Sequence, residues 1–194
     1  MTGMKGRLGR LVAHDAGFTL PEMIAATALF ALVTLIAVSM FVSSLGVQQT
    51  VTQVSATNVD AQLAATSVET GIRNSTALDL SDPDLLIAEV AGTDPAALTY
   101  RCQAWYFDAA DGGSLWMTSA PVGDAIDAPE DSADLSSWVL LVRGVEPLTG
   151  GVVFTRSGAT VGMAFQATAG DNRPVDIAFS TTSMSGATGE TTCF

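Results

Sequence analysis

The sequence predicts an α+β protein: a long N-terminal helix, membrane-spanning in its first half and amphipathic in its second, packed on a C-terminal antiparallel β-sheet domain. Three observations predict it. From Met23 through Val59 there is no Asp, Glu, Lys or Arg, and the first part of that stretch, to about Leu45, is dense in Leu, Ile, Val, Phe, Met and Ala. From Val47 to Ile72 apolar residues recur at alternating four- and three-residue steps, the period of one helix face. Beyond residue 98 the period drops to two, in short runs rich in β-branched and aromatic residues, broken by Gly, Asp, Pro and Ser.

The first 17 residues carry Lys5, Arg7, Arg10 and His14, and the next basic residue is Arg73. A bilayer core takes roughly 20 apolar residues as helix, so residues 18–45 are long enough to span. No second such run follows. The basic flank keeps the N-terminus in the cytoplasm and exports everything after the span. The expected location is therefore the cytoplasmic membrane, crossed once. Small residues along the span (Ala25, Ala26, Ala28, Ala31, Ala37, Ser39) would let neighbouring helices approach closely. Glu22 is the anomaly. A carboxylate at the mouth of an apolar span is costly and usually has a partner. An ordinary secretory signal has an apolar region of only about 7–15 residues and gives Glu22 no reason to exist. A plain membrane anchor leaves it equally unexplained.

Gly46 marks a change of character. Residues 46–78 read as an amphipathic helix with one stripe: Val47, Val51, Val54, Asn58, Ala61, Ala65, Val68 and Ile72. A coiled coil with a partner would show the same spacing, but Asn58 and two alanines make a weak zipper. The stripe is therefore expected to lie on the chain's own globular domain. Residues 79–84 (DLSDPD) are expected to break the helix, as a turn or a cap for the short segment 85–90. The domain over 79–194 is expected to hold strands at 98–107, 115–118, 137–145, 152–156, 160–166 and 175–181. Residues 108–113 (DAADGG) form a hairpin-like turn, and 120–136 a polar loop. Cys102 and Cys193 both fall in the exported part, where a disulfide is the natural reading and two buried free thiols the other. It would close a loop of about 90 residues, stabilising by up to roughly 4 kcal/mol, and join the first strand to the C-terminus.

Residues 17–23, GFTLPEM, resemble the processing site of type IV pilins and pseudopilins. In that family a short basic leader ends in Gly, a prepilin peptidase cuts before a Phe, and a Glu follows inside a long apolar helix. The resemblance implies a leader over 1–17, a cut between Gly17 and Phe18, and an assembly role for Glu22. It also implies N-methylation of the new α-amine on Phe18. Pairing then explains the carboxylate. Glu22 lies one turn along from that cationic amine, within reach of it in its own chain or, in a filament, in a neighbour. Two charges inside an apolar bundle are tolerable only as a pair. Pro21 falls in the first turn, where its missing N–H is not needed. The strand succession around WVLLVRGVEPLTGGVVF looks more like a larger minor pilin or pseudopilin than a compact major pilin. The implied partners are other pilin-like subunits, the peptidase, an inner-membrane assembly platform and the membrane. The same N-terminal physics serves pili, DNA uptake and secretion.

Chemistry is scarce in the remainder. Past the leader there is no histidine and no lysine, which removes His-based triads, His metal ligands, Schiff-base lysines and phosphate-binding loops. No catalytic residue is assigned, and the chain is expected not to be an enzyme. No cofactor is expected. Calcium is the one candidate, through the acidic stretches 79–84, 108–113 and 124–134, none of which matches a defined calcium loop. Turns, helix caps and a solvated face account for the same residues. Past the leader, five arginines stand against 19 acids, giving −14. Such a surface repels nucleic acid, which needs clustered positive charge. The function expected is thus a non-enzymatic filament subunit. The alternatives are a single-span exported binding domain acting outside a filament, or a protein released by signal peptidase.

Overall fold

In the computed structural model, residues 17, 19–92, 99–130, 134–148, 150–168, 170, 173–187 and 193 are described. The chain divides into two compact units, Met1–Val47 and Gln48–Phe194. One helix, α1 (Leu20–Arg73), enters both. The described strands follow in order: β1 (Ser75–Asp82), β2 (Leu85–Ala91), β3 (Tyr100–Asp108), β4 (Ser114–Pro121), β5 (Val139–Arg143), β6 (Val145–Pro147), β7 (Phe154–Ser157), β8 (Thr160–Ala167) and β9 (Val175–Thr182). The α+β arrangement expected from the sequence is the one found.

The helix stops at Arg73 because its last carbonyls find partners off the helix. Thr70 O accepts both the Asn74 N–H, at 3.2 Å, and the Asn74 side-chain amide, at 3.0 Å. The Ser75 hydroxyl donates to Ile72 O at 2.7 Å, and the distant Met184 N–H to Arg73 O at 3.1 Å. Two expectations are corrected here. Residues 75–78 belong to β1 and not to the amphipathic helix, and the acidic residues 79–82 end that strand, leaving only Pro83 and Asp84 as the turn. The segment 85–90 lies within β2. Its continuous apolar run, LLIA, is buried on both faces of a sheet, which gives a strand no alternation to betray it.

The first sheet is an antiparallel meander in the order β1-β2-β3-β4-β5. In the second, β8 is central. It pairs β9 along one edge, while β6 and β7 share the other edge end to end. Two sheets replace the single one expected, and the run 137–145 is split between them. Gly144 makes the passage: its φ is +67°, and a Cβ there would run into the Thr168 carbonyl. Gly113 supports the same crossing, since its carbonyl accepts the Gly144 N–H at 2.9 Å and a Cβ would overlap Val145 O.

The main core lies where α1 and the two sheets meet. Trp105, Leu115, Phe154 and Phe165 fill it, and α1 contributes Ala61, Ala64, Val68 and Ile72. The helix stripe is therefore shorter than expected and turned towards Ala64 and Gly71. Val51 stays 61% exposed, Val54 and Asn58 are half-buried, and Ala64 with Gly71 takes the place of Ala65. Gly71 lets the Trp105 ring lie against the helix, and the indole N–H donates to the Ser67 hydroxyl at 3.0 Å. The sheets are tied by Arg156, whose guanidinium donates to Leu78 O at 2.6 Å, and by Ser183, whose hydroxyl donates to Ser75 O at 2.6 Å.

A second core covers the other face of the first sheet. Alternate residues of β2 and β3 (Leu85, Ile87, Cys102, Ala104) point away from α1 and pack with Ile126 and Cys193. The expected polar loop starts only after β4 ends at Pro121, and through Ile126 and Ala128 it straps this face.

Candidate functional site

The residues singled out by the sequence form two places. The first is the start of α1. Thr19 precedes the helix, and its carbonyl accepts the N–H of Glu22 at 3.0 Å and of Met23 at 3.1 Å. Thr19 therefore stands at the N-cap, with Glu22 three residues on, the spacing of a capping box. Pro21 sits between them, where no intrahelical donor is required. Glu22 lies in the first turn and is exposed. An acidic side chain there complements the positive end of the helix dipole. Gly17 is described and Phe18 lies outside the described residues, as does residue 14. Around Gly17 a Cβ would meet nothing within 4 Å.

From Leu20 to Leu45 every residue of α1 is exposed, including Leu20 and Phe30 at 75% each. Three hydroxyls within this stretch are turned back on the helix. Thr27, Thr34 and Ser39 donate their hydroxyls to the carbonyls of Met23, Phe30 and Ile36 at 2.8–3.0 Å. These three hydroxyl donors are satisfied internally, which suits a hydrocarbon environment. A long apolar N-terminal helix of this kind is consistent with a single membrane anchor.

The second place is the disulfide. Cys102 on β3 and Cys193 are bonded, with Cα atoms 5.5 Å apart, and both are fully buried. Cys102 sits on the third strand of the meander, not the first. The Cys193 carbonyl accepts the Ile126 N–H at 2.9 Å, so the bond also fastens the strap.

The acidic stretches act locally. Asp79 accepts from the Ser81 N–H and hydroxyl, Asp82 from the Asp84 N–H at 2.9 Å, and Asp108 from the Ala110 N–H at 2.9 Å. These are turn-forming bonds. Burial, followed by the nearby Asp82, raises the Asp84 carboxyl above the ordinary carboxylate value. Burial also raises the Tyr106 phenol, helped by Asp108, Asp84 and Asp82. Among the described residues no group of three His, Cys, Asp or Glu is placed to hold a metal ion. Comparison with protein-family models, with curated proteins and with solved structures returned no match to this chain.

Proposed function

We propose that this chain is a non-enzymatic structural subunit of a type IV filament machine, a minor pilin or pseudopilin, cleaved between Gly17 and Phe18 and assembled through its N-terminal helix. One observation carries the reading: a lone carboxylate, Glu22, follows Gly17-Phe18 one turn into a helix that is otherwise apolar and exposed from Leu20 to Leu45. A cationic α-amine on Phe18 supplies the partner that the carboxylate otherwise lacks in lipid. The capping position of Thr19 and the internally bonded hydroxyls support an isolated helix in a bilayer. Calcium, nucleic acid and catalysis have no part in this reading.

Mass spectrometry of the N-terminus, after production with a prepilin peptidase, tests it. The expected product begins at N-methyl-Phe18. An intact Met1 would mean a plain anchor, and a start beyond about residue 38 would mean signal peptidase release. Gly17→Trp should accumulate as precursor in the membrane. The open space around Gly17 makes this an effect on the peptidase and not on the fold. Normal maturation of Gly17→Trp would sink the reading.

A further inference from the structure

The outer face of the first sheet, away from α1, gathers aromatic rings and carboxylates at one end. In the ladder Asp82 stands opposite Leu85, Leu85 opposite Tyr106, and Tyr106 opposite Trp116, and residues paired in this way share a face. Asp108 lies two residues beyond Tyr106 on β3, so it joins the same face. The Trp138 ring is tilted against that of Tyr106, centroids 6.0 Å apart. Tyr106, Trp116 and Trp138 are all half-buried, so each keeps part of its ring in solvent. The Trp116 indole N–H donates to the Ser114 hydroxyl at 2.8 Å, which ties the ring to its own strand. Asp84 enters from the β1–β2 turn, its carbonyl accepting the Phe107 N–H at 2.9 Å. After burial, it is Asp108, Asp84 and Asp82 that raise the Tyr106 phenol, which places all three near the rings. These carboxylates have no counter-charge. No lysine follows residue 17, all five arginines beyond it are described, and the one ion pair among the described residues joins Arg73 to Glu69. Arg143, opposite Ser114 on β5, pairs with none of them.

We propose that this face docks a basic segment of another protein through an arginine side chain, its guanidinium laid on the Tyr106 and Trp116 rings and its fork turned to Asp108. Charge complementarity selects the occupant. A ring face attracts a cation, and unpaired carboxylates beside it add to the attraction. A guanidinium is planar, so it stacks on a ring and forks to a carboxylate at once, which a lysine ammonium does not do. Asp82 and Asp108 each give one oxygen to a turn N–H, of Asp84 and Ala110, and keep the second for a partner. A neutral sugar would use the rings and leave three charges unanswered. A second copy, at net −12, is repelled over most of its surface. The inference goes beyond the filament reading and uses neither the N-terminus nor the apolar helix.

The test is fluorescence anisotropy of a labelled Gly/Ser peptide carrying two arginines, titrated with the full chain in detergent at fixed salt. Binding should saturate, and the same peptide with citrulline for arginine should bind about ten-fold or more weakly, since it keeps the shape and loses the charge. Trp116→Phe keeps a ring and should stay within about two-fold of the parent. Trp116→Leu keeps apolar area without a ring, and it should weaken binding about five-fold, as should Asp108→Asn. Asp60→Asn removes the same charge from an exposed position on α1 and should change nothing. Absence of saturable binding, equal binding of the citrulline peptide, or equal losses from Asp60→Asn and Asp108→Asn would overturn the proposal. So would displacement of the peptide by a neutral oligosaccharide, which would make the rings a sugar platform. The Gly17→Trp chain should bind the peptide like the parent. The filament reading, by contrast, fails or stands on the mature N-terminus, so the two are told apart.

Discussion

Gly71 and Gly46 are both helical glycines with opposite forecasts. At Gly71 a Cβ would overlap the Trp105 ring, which is fully buried and held by Ser67 at 3.0 Å. Overpacking of this kind costs about 1–3 kcal/mol, against a helix-propensity gain of about 1 kcal/mol for Gly→Ala. The clash wins, so Gly71→Ala should lower the unfolding midpoint. At Gly46 nothing lies within 4 Å, and the same change should be neutral or stabilising. Equal effects from the two, read by thermal unfolding in detergent, would mean that the Trp105 contact is not tight. Asp84 gives a pH-dependent case. Its folded pKa is raised by burial and then by Asp82, so the folded state holds the proton more tightly than the unfolded chain. The stabilising contribution is full below the unfolded value of about 3.9 and is lost as pH rises through the folded one. At neutral pH the ionised group opposes folding. Asp84→Asn should therefore raise the melting temperature at pH 7 and lose that advantage near pH 3. An advantage that grows on acidification would contradict the assignment.

At the scale of elements, the parts legible in the sequence are those whose period is their signature. The long apolar helix, β3, β8 and β9 fall where the one-face or alternating patterns put them. The misreadings have physical causes. STALDLSD lacks the β-branched, alternating pattern that marks a strand, and pairing with β2 makes it one. WVLLVRGV is one apolar run, and nothing before the Gly144 passage announces that its halves join different sheets. The valine stripe continues further towards the N-terminus than its burial does, with Val47 and Val51 exposed, because spacing says which face is apolar and not how far the domain reaches. The disulfide was legible from compartment and count. Its partner, the strap, was not, because Ile126 stands among acidic and small residues with no period to mark it as buried. Chain entropy for a separation of 91 residues gives the bond about 4–5 kcal/mol. The double variant Cys102→Ser/Cys193→Ser should lose about 2–5 kcal/mol of stability and become protease-sensitive within residues 121–138, while β8 and β9 stay protected. Cleavage starting in β8 instead would show that the strap is fastened by something other than Cys193.

At the scale of the molecule, the proposed filament role makes Glu22 the residue on which membrane and assembly energetics disagree. In lipid its carboxylate is a cost: moving an acid to the centre of a span takes about 2.5–3.5 kcal/mol on insertion scales, and less at the edge. Glu22→Ala should therefore insert as well as the parent chain or better. Cleavage should persist, because the bond cut is Gly17-Phe18. Assembly should reverse the sign. In a bundle of apolar helices the Phe18 amine is cationic, and without Glu22 it is buried unpaired. Breaking a buried pair by removing one partner costs about 3–5 kcal/mol, which is about 10²- to 4 × 10³-fold in incorporation. Glu22→Gln keeps the shape and loses the charge, so it should fall nearly as far, which separates electrostatics from packing. The measurement is the ratio of this subunit in sheared filaments to that in the membrane. Residues 18–194 contain no lysine, so an amine-reactive label on the cleaved chain reports on Phe18 alone and should be blocked by assembly. If Glu22→Ala enters filaments at the parental ratio while Phe18 is correctly exposed by cleavage, Glu22 is not the assembly contact. The subunit would then sit where no neighbouring amine has to be matched, at the filament tip.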